Sequence, residues 1–271
     1  MFRLTREVRF GIDTWTDDVV DSKNGHAGRP ALTGLGYYFE LQATLAGPLE
    51  ASSSYLRNIK HVDDAVRGRA IPIIRRAIES RTFGGGGGVV RDCFVELESA
   101  WPGATLSRLV MRLSPFLNWG VERNQSTASK DSGSLMIKLS QRFEFSAAHR
   151  LHNPGLDDAQ NVQLFGKCNN PLGHGHNYEV EVTLRGTPDS RGVLMPVGEF
   201  ESLVELHAID AFDHKHLNME VEEFRLEGGL NPSVENIAMV IYRRLRPVFV
   251  NAQLDSVTVW ETPKTWCEYR E

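Results

Sequence analysis

The residues from Gly175 to Gly186 read GHNYEVEVTLRG, alternating between two faces with a period of two and stopping on a glycine. Only an extended strand sends every second side chain to the same side, so this stretch is a strand with one apolar face. His176 shares the parity of Tyr178, Val180, Val182 and Leu184, and His174 continues it, while Asn177, Glu179, Glu181, Thr183 and Arg185 take the other face. Upstream, Phe143, Phe145, Ala147 and His149 share one parity in the same way. Two adjacent strands would bring three imidazoles to one end of a buried face. Neutral imidazole is a good zinc ligand, and three protein ligands with an open fourth position is the arrangement of a catalytic zinc. His149, His174 and His176 are therefore the candidate metal ligands. His152, beside Asn153, Pro154 and Gly155, falls outside the parity of His149 and reads as a loop residue, and His26, His61 and His207 read as structural or solvated.

The same strand pattern occurs earlier in the chain. Gly36 to Gly47, GYYFELQATLAG, aligns with Gly175 to Gly186 without a gap, Phe10 matches Phe145, and Leu106 to Ser114 matches Leu254 to Thr262. Between the halves, Asn124 to Ser134 (NQSTASKDSGS) is polar, small and aperiodic, the composition of a linker. The expected organisation is a first domain over 1–123, a linker over 124–134 and a second domain over 135–271, related by internal duplication. In the first half Leu35, Tyr37 and Thr14 stand where His174, His176 and His149 stand in the second, and Leu113 stands where Glu261 does. That half keeps apolar strand faces and lacks the ligand set, as expected of a structural partner. Helices are expected over Ala70 to Ser80 and Val89 to Ala100 in the first half. In the second they are expected over Glu199 to Ile209 and from about Asn231-Pro232-Ser233, where Asn or Ser can cap and Pro suits the first turn. The glycines from Gly84 to Gly88 have no Gly-Lys-Ser/Thr after them and no strand before them, so they read as a flexible surface loop and not as a phosphate cradle.

The 271 residues hold 30 Lys+Arg against 35 Asp+Glu, a formal charge of -5 that argues against coating nucleic acid. No stretch has the apolar run of a signal peptide or a membrane span, and three widely spaced cysteines do not make a disulfide framework. The chain reads as soluble and cytoplasmic, with Cys93 and Cys267 as core or strand residues.

The run FSAAHR, then GKCNNPLGHGHNY, then DHKHLN, then WET near the C-terminus resembles 6-pyruvoyl-tetrahydropterin synthase and its relative 6-carboxy-tetrahydropterin synthase over residues 135 to 271. The resemblance implies an α+β class and a T-fold: an antiparallel four-stranded sheet with two helices on one face, assembled into barrels. With the duplication, each chain would hold tandem T-fold domains. Six units make the usual particle of the family, so a homotrimer is expected ahead of a hexamer.

The resemblance also implies the chemistry. Cys168, in a polar turn of Gly166, Lys167, Asn169, Asn170 and Pro171, would be the base, completed by Asp213 and His214 as a proton-transfer group. Glu261 would anchor the pterin, assisted by Thr262, Ser233 and Glu235. His216 reads as an exposed variant of a position without a catalytic role. The cofactors implied are Zn2+ and, with the substrate triphosphate, Mg2+. The substrate implied is 7,8-dihydroneopterin triphosphate, and the class a carbon-oxygen lyase. Two alternatives stand beside this reading: a 6-carboxy synthase of deazapurine (queuosine) biosynthesis, and a non-catalytic pterin-binding scaffold. Where the family commonly has an aspartate at the strand-to-helix transition, this chain has Met195-Pro196-Val197; where it often has adjacent threonines, this chain has Ser233-Val234.

Overall fold

The computed structural model describes residues 1–13, 35–81, 86–123 and 134–271. Thr14, His26, Gly84, Gly85 and nearly all of the expected linker lie outside the described residues. The chain divides into two compact units, one of residues 1–139 with 185–195 and the other of residues 140–184 with 196–271.

In the first unit β1 (Phe2–Asp13), β2 (Gly36–Gly47), β3 (Thr105–Arg112) and β4 (Leu117–Arg123) form an antiparallel succession in chain order. The register sets Phe10 opposite Phe39 and Val8 opposite Leu41, and these residues with Ala43, Leu45, Leu109, Met111, Trp119 and Val121 are buried. Against them lie α1 (Ile59–Ala65), a π-helical turn (Val66–Ala70), α2 (Ile71–Glu79) and α3 (Gly87–Glu98). Asn58 opens α1 by accepting from the Lys60 N–H. The π turn falls just before Pro72, which lacks the N–H that a regular helix would send back to Gly68. The inward stripe of Val62, Val66, Ala70, Ile74 and Ala77 continues across that turn.

The described end of the glycine run corrects the expectation of a flexible surface loop. Gly86 and Gly87 are buried. A Cβ on Gly86, at φ +76°, would sit 2.5 Å from the Trp119 ring, and one on Gly87 would sit 2.7 Å from the Gly192 carbonyl oxygen. The glycines are there because backbone and an indole approach closely.

The second unit contains most of β5 (Leu135–His149) and β6 (His174–Gly186), then β8 (Gln253–Thr262) and β9 (Thr265–Tyr269), in the order β5-β6-β8-β9. A two-residue strand, β7 (Lys215–His216), pairs parallel with the end of β5, Ala147 opposite Lys215 and Ala148 opposite His216. The helices are α4 (Asp158–Phe165), α5 (Val197–Val204), α6 (Asp210–Phe212), α7 (Leu217–Glu220) and α8 (Val234–Leu245). A π-helical turn over Glu205–Ile209 joins α5 to α6, so the expected helix over Glu199 to Ile209 exists with a change of pitch inside it. Ser233 stands at the N-cap of α8, but its side chain makes no capping hydrogen bond. Pro196 stands at the N-cap of α5, likewise without a side-chain cap. The short elements α1, α4, α6, α7 and β7 were not expected; α4 opens with a capping box between Asp157 and Gln160, and β4 and β9 give each half the fourth strand that the resemblance implied.

Strands β2 and β6 bury alternate residues in the same way. Phe39, Leu41, Ala43 and Leu45 are buried in β2 as Tyr178, Val180, Val182 and Leu184 are in β6. Among the described residues no helix is long and apolar enough to cross a membrane.

Phe145 carries the second core up to the histidines: its ring stacks on Tyr178 at 4.8 Å between centroids and meets Phe212 at 5.6 Å. Phe145→Ala is expected to cost about 3–5 kcal/mol in urea unfolding. A loss below about 1 kcal/mol would mean that this layer does not hold the unit together.

Candidate metal centre

The parity read in the sequence places the three imidazoles together. His149 ends β5 as the last of the buried series Phe143, Phe145, Ala147, and His174 and His176 begin β6 ahead of Tyr178. One ligand atom from each of His149, His174 and His176 falls within 4.8 Å of the others, and the two Nε2 atoms of His149 and His174 are 3.2 Å apart. Two nitrogens held about 2.0–2.1 Å from one tetrahedral ion would be roughly 3.3 Å apart, so the spacing fits a shared metal.

His149 is fully buried. Its Nδ1 lies 2.7 Å from the Pro232 carbonyl oxygen, an acceptor only, so Nδ1 carries the proton and Nε2 keeps the lone pair that faces the other two rings. Burial holds the His149 pKa down to about 4, against an ordinary 6.5, with the Pro232 bond opposing and the neighbouring histidines adding to the depression. Burial and His176 also lower His174, with Glu261 opposing. Nδ1 of His174 and Nε2 of His176 are shielded from solvent and have no hydrogen-bond partner. Shielded imidazoles with unused nitrogens are a donor set that a divalent ion satisfies.

Glu261, near the end of β8, brings Oε1 to 3.5 Å from His149 Nε2 and 3.8 Å from His176 Nε2. Tyr178 lies beneath the rings, and burial with the nearby acidic groups Glu261 and Cys168 keeps its hydroxyl a neutral phenol. Thr262 turns its hydroxyl to the Lys264 N–H in the β8–β9 turn. Glu235, in the first turn of α8, is exposed.

Cys168 sits on the 3-10 turn Gly166–Asn169 that follows α4 and is half-buried. It lines a cleft of about 840 Å³ with Arg150, Asp158, Lys167, Asn169 and His174. Asp213 and His214 immediately precede β7. Ser146 N–H donates to Asp213 Oδ1 at 2.9 Å, the His214 N–H donates to the Ser146 carbonyl at 2.7 Å, and Asp213 Oδ2 pairs with His214 Nδ1 at 2.7 Å. The Ser146 bond first and His214 second hold the Asp213 carboxyl below its ordinary range. His214 adopts φ +55°, a left-handed conformation that costs a non-glycine residue and sends this imidazole outward, 83% exposed. His214 and His176 line a second cleft of about 580 Å³, so this chain places Cys168 and His214 on two different clefts, one lined by His174 and the other by His176.

His216 corrects the sequence reading. It is half-buried, both ring nitrogens are shielded without partners, and it lines the cleft of His176 and His214. A Cβ on Gly173, at φ +75°, would meet its Nε2 at 2.7 Å and the His149 carbonyl oxygen at 3.0 Å, which explains the glycine before His174. The parallel pairing of β7 with β5 draws His216 inward, a long-range contact with no local sequence signal. His152 is a loop residue as expected, its Nδ1 3.1 Å from the Asn169 amide.

Residues 138–271 match the family model described as 6-pyruvoyl tetrahydropterin synthase. The 6-pyruvoyl tetrahydrobiopterin synthase of Drosophila melanogaster is 42% identical over 134 residues, which are 49% of this chain and 78% of that protein. The chain belongs to the 6-pyruvoyl tetrahydropterin synthase family. It is, with its relatives, an enzyme of the lyase class. The 6-carboxy-5,6,7,8-tetrahydropterin synthase of Haemophilus influenzae is 29% identical over 154 residues, covering 50% of this chain and 100% of that protein. The crystal structure of uricase from Arthrobacter globiformis is similar over 88% of this chain and 85% of its own, with a TM-score of 0.50 at 10% identity, a likeness of fold alone.

The depressed pKa of His149 has a signed consequence for the metal-free protein. The unfolded imidazole binds its proton at an ordinary 6.5 and the folded one only near 4, so stability is complete above 6.5 and is lost as pH falls toward 4. The loss from this residue is on the order of 3 kcal/mol, and His149→Gln is expected to flatten the acid limb of a urea-midpoint profile. An unchanged limb in that variant would show that His149 is not held neutral by burial.

Proposed function

We propose that residues 135–271 form a zinc-dependent 6-pyruvoyl-tetrahydropterin synthase that converts 7,8-dihydroneopterin triphosphate to 6-pyruvoyl-tetrahydropterin with elimination of triphosphate. The observation that carries the reading is the cluster of His149, His174 and His176, in which His174 Nδ1 and His176 Nε2 are shielded without partners and His174 lines the cleft that holds Cys168. Zinc bound by the three histidines supplies Lewis-acid stabilisation of charge that develops on a substrate oxygen. Cys168 accepts a side-chain proton, and His214, oriented by Asp213, redistributes protons from the second cleft. Glu261 accepts from the pterin ring N–H and exocyclic amino group, with Thr262, Ser233 and Glu235 at its margin. Magnesium accompanies the triphosphate. Free thiols at Cys93, Cys168 and Cys267 suit a cytoplasmic reaction.

Two other readings are weaker. A 6-carboxy synthase starts from the same substrate, but the five residues between Cys168 and His174 and the higher identity to pyruvoyl relatives favour the pyruvoyl product. A non-catalytic pterin scaffold is disfavoured by the intact histidine set with Cys168. Mass spectrometry of the pterin formed from dihydroneopterin triphosphate decides among the three: a pyruvoyl product is expected, a carboxy product gives the second reading, and none gives the third. Cys168→Ala is expected to keep one zinc per chain and lose turnover, whereas His176→Ala loses both together. Zinc lost from Cys168→Ala would instead make the thiol a ligand.

The first half we read as a degenerate T-fold domain over 1–123, joined by a linker over 124–134 to the catalytic domain. The shared burial pattern of β2 and β6 supports this, as does the absence of histidine at Leu35 and Tyr37. Open sheet edges are normally paired or covered, and cyclic closure of two units per chain needs three chains. A homotrimer is expected in light scattering of the zinc-loaded protein, with a hexamer as the runner-up. A stable single chain would contradict the barrel.

A further inference from the structure

Directly after the metal-ligand candidate His149, the chain leaves β5 and its next residues are held by side-chain amides. Asn218, only 5% exposed, accepts from the Arg150 N–H through Oδ1 at 2.7 Å and donates from Nδ2 to the Arg150 carbonyl at 3.1 Å. The amide therefore engages both backbone groups of Arg150, as a neighbouring strand would. Arg150 in turn sends its guanidinium to the turn that bears Cys168: Nε donates to the Asn169 carbonyl at 3.0 Å and Nη2 to Asn169 Oδ1 at 3.2 Å. Asn169, 4% exposed, returns Nδ2 to the Leu151 carbonyl at 2.7 Å and to His152 Nδ1 at 3.1 Å. The Leu151 N–H donates to the carbonyl of Cys168 itself at 2.8 Å.

Every bond between these two segments joins residues 150–152 to residues 168–169. The first segment begins one residue past a metal-ligand candidate, and the second contains the thiol. Asn161 offers a contrast: fully buried, it ties Asn153, Leu156 and Asp157 together and thus closes its own loop, without reaching either flank of the site. Arg150 and Asn169 also line the same cleft as Cys168 and His174. The turn that carries Cys168 has only four residues and starts at Gly166, with φ +54°, so it has little stiffness of its own. A proton acceptor must stay within hydrogen-bond reach of the proton it takes, and its distance to the metal sets that reach.

We propose that Asn218, Arg150 and Asn169 form a polar splint that fixes the Cys168 thiol relative to the His149 ligand position, which makes them positioning residues for proton transfer. The proposal rests on Cys168 being the proton acceptor. Its test uses the zinc-loaded full chain as Asn169→Ala and Arg150→Lys, the second keeping the charge and stem while losing the fork onto Asn169. The readouts are zinc per chain, kcat and KM, and the rate and pH dependence of Cys168 alkylation by iodoacetamide, located by peptide mass spectrometry. With zinc retained and KM within about threefold, kcat is expected to fall at least about tenfold and the Cys168 alkylation rate to change at least about threefold, with a shifted pH profile. Alkylation unchanged in both variants overturns the proposal, and so does zinc lost in step with turnover, which would make these residues part of the fold only. If Asn169→Ala does not fold, Arg150→Lys decides by the same readouts. Turnover retained in Cys168→Ala overturns the thiol's role in transfer, while alkylation in the splint variants still judges its positioning, so the two failures are told apart.

Discussion

The hydrogen bond from Nδ1 of His149 to the Pro232 carbonyl, 2.7 Å long, joins the end of β5 to the segment that opens α8. It sets the tautomer, leaves Nε2 as the free lone pair, and does so at the most buried of the three imidazoles. Burial then keeps the ring neutral, the state a metal requires. His174 and His176 approach that one nitrogen from the next strand, and Glu261 from a third. Pro232 directly precedes Ser233, and Glu235 follows in the first turn of α8, so the proposed pterin margin and the fixed histidine share one short stretch of backbone.

The first half uses the same apolar geometry for a different end. Its strands bury Phe10, Phe39 and Leu41 as the second half buries Phe145, Tyr178 and Val180, yet Leu35 and Tyr37 at the matching strand end are exposed. An apolar sheet face is thus compatible with either a polar site or none at its rim. Residue type decides which, as His174 and His176 stand at the start of β6 and Leu35 and Tyr37 at the start of β2.

Parity is also why so much of the site was legible in the sequence. A period of two determines side-chain direction once a strand is recognised, so Phe143, Phe145, Ala147 and His149 could be placed on one face before any coordinates. The features that escaped arise from contacts distant in sequence or from short elements. His216 lies inward because β7 pairs with β5 across more than sixty residues, and nothing local in DHKHLN announces it. Gly86 to Gly88 looked like slack because glycine has no side chain to show what it packs against; Trp119 and Gly192 are the answer. The division of Cys168 and His214 between two clefts depends on the turn after α4 and on the left-handed backbone of His214, neither of which spacing reveals.

The central claim is that three imidazoles hold the metal and the thiol stays outside its coordination sphere to handle protons. X-ray absorption at the zinc edge of the loaded protein tests this most directly. The account predicts only nitrogen and oxygen scatterers, at about 2.0–2.1 Å, with one zinc per chain. A sulfur scatterer at about 2.3 Å would place Cys168 on the metal and contradict it.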